Sequence, residues 1–396
     1  LGLSLDSEGF VVSPTGNFYV ADEYGMSIYE FHPVQANGIT EARFVRSFDT
    51  PDNLLPRDEN GVNFDTEFSD PPTSVLTGRQ PGRGYESLAI SPSGDRLWAL
   101  HQAPLQEEGE GNSGRRSRNL RLVEYDTITG QSTAQYIYQV ESIDDINARI
   151  LDDCPVPPND DANCADFTAN QQGRNIAPSA LVALSDHEFL VLERDNRGIG
   201  NGNASNEDIV ASHIGTKSIF YVDIDSATDV TDISLAGTND LPVGVTPVRK
   251  SLAIDLHAEL QTAGQITPEK FEGMTIGPAL ASGKHALIVM TDNDRSSVDI
   301  DNPDGATMPL LLDVYTNGSQ TLYTPIDDPS QSYALADFAN VDTNPNLGAL
   351  PLGYQMLPTY IYSFPVDLRA VPEPASAGWA GTLAGLVLLR RRQRQR

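Results

Sequence analysis

The sequence carries little positive charge. Its 396 residues contain 26 Lys and Arg against 55 Asp and Glu, so the formal net charge is −29. Binding to nucleic acid needs a basic face that contacts the phosphates, and this composition therefore argues against a nucleic-acid partner. An acidic chain of this kind fits an exported domain that binds cations through oxygen ligands.

Several catalytic motifs are also absent. The chain has no Gly-x-Ser-x-Gly elbow of serine hydrolases, no His-Glu-x-x-His zinc motif and no P-loop. It lacks the Arg-His-Gly motif of histidine acid phosphatases, and its six His residues are scattered. Chemistry that depends on a Ser or His nucleophile is therefore poorly supported.

Cysteine is scarce, since Cys154 and Cys164 are the only two and lie in one polar loop. In an oxidising compartment we expect them to form a small local disulfide. A metal site is the alternative, but it needs more ligands than this pair offers. The chain begins at Leu1 with neither an initiator Met nor a signal peptide. An exported protein should have a signal peptide, so we expect this chain to be an N-terminal fragment that lacks the start of the domain, or a processed form.

The last 26 residues form a distinct segment, 371–396. Val371-Pro372-Glu373-Pro374 precedes an apolar run from Ala375 to Leu389 and a cluster of five Arg. A run of about 15 residues spans about 22 Å as a helix, which is short for a hydrocarbon core of about 30 Å. The Arg cluster would stay in the cytoplasm by the positive-inside rule.

This tail resembles the PEP-CTERM sorting signal of bacterial surface proteins, which an exosortase-type enzyme processes. The resemblance implies that the protein is exported to the cell surface or outside a Gram-negative-type bacterium. A short C-terminal hydrophobic helix would anchor it transiently in the membrane. An ordinary C-terminal membrane anchor is the alternative interpretation. Either way the segment is set apart from the fold of residues 1–368.

One hairpin pattern recurs along the chain. Each copy has a short apolar strand, a turn and a second apolar strand that ends in polar residues. Ser-Pro-x-Gly turns in the first two copies favour the bend. The four copies begin near Glu8, Glu86, Ser179 and Glu272. Further strand pairs follow the first three copies, at residues 27–48, 120–138 and from 218.

Four strands per unit, repeated, are typical of propeller blades. We therefore predict an all-β fold, a β-propeller of four-stranded blades with six blades expected and five or seven as alternatives. Acidic or Gly-rich insertions account for part of the wide spacing between copies. Helix signals are rare, and Leu252 to Leu260 is the one modest candidate.

Four segments resemble the phytase-like family, also described as "esterase-like activity of phytase". They are Val20-Ala21-Asp22-Glu23-Tyr24-Gly25, Gly84-Tyr85-Glu86-Ser87-Leu88-Ala89, Phe189-Leu190-Val191-Leu192-Glu193-Arg194-Asp195 and Lys270-Phe271-Glu272-Gly273. They keep the family's order over roughly residues 5–300. The resemblance implies a propeller fold and hydrolysis of phosphate or other esters.

The polar hairpin ends predict a cation site. Because a hairpin reverses the chain, both of its ends lie at the same end of a blade. Inner hairpins of successive blades would then gather their carboxylates at one mouth of the central channel, where like charges raise each other's pKa values. Oxygen-only ligands favour calcium. The predicted ligands are Glu8, Asp22, Glu23, Glu193, Asp195, Asp292 and Asp294.

Three further residues are candidates for catalysis. A carboxylate such as Glu86 or Glu272 would act as general base, and Arg194 would bind an oxygen of a small anionic ester. Calcium would offset developing negative charge and help to activate water.

Each of these residues also has a structural interpretation. Strand-end Asp and Glu often accept hydrogen bonds from turn backbone, and Arg194 could pair with Glu193 or Asp195. The segment from Asp299 to Gly305 resembles a calcium loop only loosely, and a solvated acidic loop is favoured there. The alternative function is a non-catalytic propeller that binds an extracellular ligand or glycan.

Overall fold

The regular structure of the described residues consists mostly of antiparallel sheets, as predicted for an all-β chain. The computed structural model describes residues 5–36, 39–64, 75–150, 166–200, 211–293, 297–300, 310–326, 328–334 and 345–368. Strands account for 44% of the described residues and helices for 8%, so the predicted all-β class is confirmed.

The first two four-stranded sheets, blades 1 and 2, each follow one hairpin with a second strand pair. Blade 1 contains β1 Ser7–Val12, β2 Phe18–Asp22, β3 Ser27–Ala36 and β4 Ile39–Ser47. A two-stranded ribbon, β5 Arg57–Asp58 and β6 Gly61–Val62, lies between the blades in sequence. Blade 2 contains β7 Tyr85–Ile90, β8 Arg96–His101, β9 Asn119–Asp126 and β10 Ser132–Gln139.

Blade 3 repeats this order, whereas blade 4 is interrupted. Blade 3 contains β11 Ile176–Ala183, β12 Glu188–Asp195, β13 Lys217–Asp223 and β14 Arg249–Asp255. Blade 4 has three described strands, β15 Phe271–Ala279, β16 His285–Thr291 and β21 Ile361–Val366. A separate sheet is inserted between β16 and β21, with β17 Ser297–Ile300, β18 Leu310–Thr316, β19 Thr321–Pro325 and β20 Gln355–Met356.

The first strands of the four blades are called the inner strands, because they contact one another. β1, β7, β11 and β15 each lie at one edge of their sheet and contact one another in that order. Apolar side chains pack between successive blades, for example Tyr125 between blades 1 and 2, Trp98 against Phe189 between blades 2 and 3, and Phe271 between blades 3 and 4. Closure into a ring of six blades stays a prediction.

Helices are few, and the helix predicted for Leu252 to Leu260 is partly wrong. Its first residues belong to β14, where Leu252 pairs with Phe220. Helix α3, Leu256–Thr262, starts only after Asp255, whose carboxylate accepts a hydrogen bond of 2.9 Å from the Ala258 N–H. The other described helices are short: α1 Ile143–Asn147, α2 Gln172–Asn175 and 3-10 turns at Gly114–Arg116, Ala169–Gln171 and Ala211–His213.

Three predicted features lie outside the described residues. They are the Cys154–Cys164 disulfide, the predicted ligand Asp294 and the tail with Val371, Pro372, Glu373 and Pro374. Within the described ranges, no helix has the length and apolar character needed to cross a membrane.

Candidate functional site

Each inner strand carries a β-bulge close to its first residues. Its pairing with the second strand of the blade shifts at this point, so that one extra residue is inserted. The residues at these bulges are Glu8, Glu86, Ser179 and Glu272. A bulge re-aims a side chain. The four blades therefore present equivalent residues at the same end of their inner strands, and we call this end the mouth.

The second strands supply a matching set of side chains. Asp22, His101, Glu193 and Thr291 pair with the residues just before the bulges. The next residues along these strands are Glu23, Gln102, Arg194 and Asp292. Blade 3 therefore departs from the pattern, because it carries Ser179 and Arg194 where the other blades carry carboxyl or amide groups.

Blade 1 brings three carboxylates together at the mouth. Oxygens of Asp6, Glu8 and Glu23 lie within 4.8 Å of one another. Glu8 lies at the exposed rim of the mouth, but neighbouring protein atoms still exclude part of the water around it. This partial burial, together with the charges of Glu272 and Asp6, raises the pKa of Glu8 to about 7. Burial and the Glu8 charge raise the Glu23 pKa to about 8, so part of the cluster stays protonated at neutral pH.

Glu86 is a buried carboxyl group of the mouth and is 4% exposed. Its Oε2 accepts a hydrogen bond of 2.6 Å from Nε2 of Gln102. Burial, followed by the charges of Glu272 and Glu23, raises the pKa of Glu86 well above its ordinary value. Burial therefore favours the protonated form of Glu86 in the absence of a cation.

Arg194 bridges two carboxylates of the segment that leads into blade 4. Its Nη1 lies 3.1 Å from Oε1 of Glu269, and its Nη2 lies 2.6 Å from Oε1 of Glu272. Burial disfavours the charge, but Glu272 and Glu269 raise the pKa of Arg194 above its ordinary value. The guanidinium is thus committed to these two partners, which were not the ones considered from the sequence.

Two predicted metal ligands, Asp22 of blade 1 and Glu193 of blade 3, are held in hydrogen-bond networks. Asp22 Oδ1 accepts hydrogen bonds from the backbone N–H groups of Asp6 and Tyr24, each 3.1 Å long. Glu193 accepts from the Glu141 N–H at 2.9 Å and also contacts Tyr138 and Lys250. A metal role for these two residues stays a prediction.

Asp195 is part of a fully buried ion pair. Its Oδ1 lies 2.9 Å from Nζ of Lys217, and its Oδ2 accepts hydrogen bonds from the backbone of Gly215 at 2.6 Å and Thr216 at 3.0 Å. Burial lowers the pKa of Lys217, although the charge of Asp195 opposes this shift. Asp292 lies at the mouth end of β16, where its N–H donates to the Lys270 carbonyl at 3.0 Å. Its metal role and that of Asp195 stay predictions.

The structure adds residues that the sequence interpretation missed. Asp6 precedes β1, and Arg83 and Arg174 lie just before β7 and β11. The charges of Arg174, Glu23, Glu86 and Arg194 shift the pKa of Arg83, which places Arg83 at the same mouth. Its position directly before the Gly84-Tyr85-Glu86 segment was the available signal.

The carboxylate cluster fits a hard cation. All three groups offer oxygen, which calcium prefers, and Glu23 is 6% exposed. Among the described residues, Glu23 Oε1 has no hydrogen-bond partner although it is buried. A buried carboxylate oxygen without a partner is costly unless a proton, water or cation satisfies it.

Comparison with known proteins identifies the family. The phytase-like family, described as "Esterase-like activity of phytase", matches residues 2–295. The chain belongs to the phytase-like family. An "Uncharacterized secreted protein" of Arthroderma benhamiae is 28% identical over 342 residues, which cover 78% of this chain and 60% of that protein. The chain thus spans about three fifths of this relative's length.

Solved structures that match the chain include propellers. The β-propeller domain of Myceliophthora thermophila Cps50 (Swd1) has a TM-score of 0.28 and 10% identity, with 90% of this chain and 72% of that chain covered. The calcium structure of the Trichoderma reesei family AA12 enzyme has a TM-score of 0.30 and 16% identity, covering 85% and 58%. Scores this low carry no argument about the function of this chain.

Proposed function

We propose that this phytase-like protein is an exported hydrolase that uses calcium at the mouth to cleave phosphate esters. One observation carries the proposal: oxygens of Asp6, Glu8 and Glu23 converge within 4.8 Å, and Glu23 has a buried oxygen without a hydrogen-bond partner among the described residues. Asp6, Glu8 and Glu23 would hold the cation, with the ester beside them at the mouth. Calcium, when bound, would supply a positive charge that offsets negative charge developing on the phosphoryl oxygens.

The neighbouring residues suit the proton transfers of such a reaction. Water attacks phosphorus, the ester P–O bond breaks, and the leaving oxygen takes a proton. Glu86, whose raised pKa favours its protonated form, would donate that proton, a role opposite to the general base predicted from sequence. Glu272 would accept the proton of the attacking water while Arg194 holds its carboxylate in place. Arg194 then acts as a positioning residue.

Export is part of the proposal. The Arthroderma relative is named a secreted protein, and the tail resembles a signal that an exosortase-type enzyme processes. An oxidising location outside the cytoplasm would also allow the proposed Cys154–Cys164 disulfide.

A binding function is the second candidate, and the raised pKa values favour it. Without a cation, the pKa of Glu23 is raised to about 8 and that of Glu86 is raised well above its ordinary value, so both groups favour the neutral form. Neutral carboxyl groups donate as well as accept hydrogen bonds. They could therefore bind the hydroxyl groups of an extracellular glycan without any reaction.

One assay separates the two candidates. The purified full chain is incubated with phytate and with an aryl phosphate, each with calcium and with chelator. Release of phosphate only with calcium supports the hydrolase. Absence of turnover under all conditions, together with a calcium-dependent rise in melting temperature, supports the binding function instead.

A further inference from the structure

Strand β4 forms an exposed edge of blade 1. It is the last strand of its sheet, and within the described ranges its only strand partner is β3. Every residue from Ile39 to Val45 is exposed, including the large apolar side chains of Ile39 at 64%, Phe44 at 45% and Val45 at 43%. A long exposed edge strand offers unpaired backbone N–H and C=O groups to another strand. β4 is therefore a candidate interaction surface.

The equivalent edge of blade 2 is covered. There the loop between β13 and β14 of blade 3 reaches the outermost strand β10. The Val230 N–H donates to the Gln135 carbonyl at 2.8 Å, and the Val248 N–H donates to the Ile137 carbonyl at 2.9 Å. Proteins commonly protect sheet edges in this way. In the part of the chain that the structure describes, no backbone bond of this kind reaches β4, so its edge stays available for pairing.

Much of β4 extends past the other strands of blade 1. β2 pairs with β3 only up to Phe31, whereas β3 and β4 continue for five more pairs, of which the first joins His32 and Arg43. Because β1 and β3 both begin at the mouth, this two-stranded extension lies at the opposite end of the blade. A partner that binds it therefore leaves the mouth accessible.

The backbone of Ala42 directs its hydrogen-bonding groups to the free edge. Ala42 lies opposite Pro33 of β3, and Pro has no N–H to donate to a neighbouring strand. Pairs in an antiparallel ladder alternate between hydrogen-bonded and non-hydrogen-bonded positions, and the proline fits the second kind. The N–H and C=O groups of Ala42, and those of Thr40 and Phe44 two positions away, then point away from β3. They are placed to bond to a second strand.

The side chains of β4 are complementary to a second β4 that runs antiparallel. With Ala42 of one copy opposite Ala42 of the other, Glu41 of each copy lies opposite Arg43 of its counterpart. Among the described residues, neither Glu41 nor Arg43 has an ion-pair partner within its own chain. Opposite charges that face each other across two strands stabilise a sheet, and side chains approach most closely at non-hydrogen-bonded positions. This register gives two such pairs.

We propose that two copies of this chain form a dimer by antiparallel pairing of β4 with β4, around a twofold axis at Ala42. The pairing uses the free edge of both strands, so the assembly closes at two copies. One strand pair buries less surface than a standard protein interface, and we expect a weak dimer with a Kd on the order of 10–100 μM. The mouth of each copy stays open, so the dimer is independent of the proposed hydrolysis.

Charge reversals in β4 test this pairing. Sedimentation equilibrium measures the mass of the full chain between about 1 and 300 μM, and circular dichroism checks that each variant is folded. Arg43→Glu and Glu41→Arg each replace two attractive pairs with two repulsive ones, so each alone should raise the dimer Kd by about tenfold or more. An equimolar mixture of the two variants contains both opposite-charge pairs again. The mixture should therefore form a dimer with about the natural affinity.

Arg249→Glu is the matched control. It makes the same change of charge as Arg43→Glu but lies on β14, the outer strand of blade 3, where Arg249 is exposed and pairs with Asp223. Its Kd should equal that of the natural chain, which separates the local pairs from the general repulsion between acidic molecules. A natural chain that stays monomeric over the whole range would overturn the proposal. An Arg43→Glu dimer of natural affinity, or a mixture that fails to associate, would overturn it as well.

Discussion

Arg194 Nη2 lies 2.6 Å from Glu272 Oε1 and thereby joins the inner hairpin of blade 3 to that of blade 4. The side chains are mostly buried, with exposed fractions of 12% and 25%. The same guanidinium also contacts Glu269, which is only 5% exposed. The Arg194 guanidinium therefore neutralises two carboxylates, and its removal leaves both without this ion-pair partner, while the charges of Lys217 and Lys270 still act on Glu269.

We expect Arg194→Ala to destabilise the protein by about 3 kcal/mol, because it leaves buried carboxylates unpaired. Glu272→Gln should cost less, about 1.5 kcal/mol, since it weakens one hydrogen bond and leaves the pair with Glu269 intact. Urea unfolding of both variants measures the difference. Arg249→Ala breaks an exposed ion pair and should change stability by about 0.5 kcal/mol or less. Equal costs for the Arg194 and Arg249 variants would contradict the bridging role.

The hairpins were predictable because their signals are local. In blade 1, alternating apolar residues flank the Ser13-Pro14-Thr15-Gly16 turn, and Gly16 adopts the positive φ of 90° that this turn needs. The strand pairs that follow also matched, with Tyr29 opposite Ser47 in β3 and β4. Short-range turn chemistry was sufficient for these elements.

The bulges and the position of Arg83 were not predictable from the sequence. A bulge at Glu86 depends on the register between β7 and β8, and Ser87, not Glu86, pairs with Leu100. The position of Arg83 depends on the contact between Gly84 and Glu23, which lie far apart in the sequence. Long-range contacts of this kind leave no periodic signal in the chain.

The partners of Arg194 could not be predicted from the sequence either, and the reason is physical. The sequence offers Glu193 and Asp195 as neighbours, but successive residues in a strand point to opposite faces. Glu193 instead contacts Lys250 and Asp195 pairs with Lys217, which leaves Arg194 to the next blade. Only the packing of blades 3 and 4 reveals this choice.

Replacing Glu86 with Gln tests its role as proton donor. Burial favours the neutral form of the Glu86 carboxyl without a cation, so the neutral side chain of Glu86→Gln should preserve the fold. The variant cannot give up a proton, and kcat on an aryl phosphate should fall by about 100-fold or more. Calcium affinity, measured by calorimetry, should be retained.

Glu188→Gln is the matched control for this variant. Glu188 is exposed and begins β12 at the opposite end from the mouth, so its replacement should leave kcat unchanged. A natural kcat in Glu86→Gln would remove the proton-donor role.

Gly84→Ala should disturb both the fold and the cation cluster. The added methyl group would approach the Glu23 carbonyl to 2.0 Å, so the backbone must shift. We expect a loss of about 1–3 kcal/mol, typical of overpacking, together with weaker calcium binding. Gly273→Ala is the control, because its Cβ would lie 3.3 Å from the flexible Met290 side chain. Similar losses in the two variants would show that the contact with Glu23 is not special.

The raised pKa values predict how stability depends on pH. In the unfolded chain Glu8 and Glu23 return to ordinary values near 4.5, against about 7 and about 8 in the folded protein. Their protonated forms therefore stabilise the fold fully below about pH 4.5, and this contribution is lost as the pH rises through 7 and 8. In chelator, the melting temperature of the natural protein should fall between pH 5 and 8 more than that of Glu23→Gln, which does not titrate.

Calcium should reverse this loss, because the cation binds the ionised carboxylates and favours the folded state. At about 100 times its Kd, calcium adds about 2.7 kcal/mol of stability. Protons compete for the same oxygens, so the rise in melting temperature should be larger at pH 8 than at pH 5.5 and much smaller in Glu23→Gln. An equal rise at both pH values, or the same rise in the variant, would place calcium somewhere other than the Asp6–Glu8–Glu23 cluster.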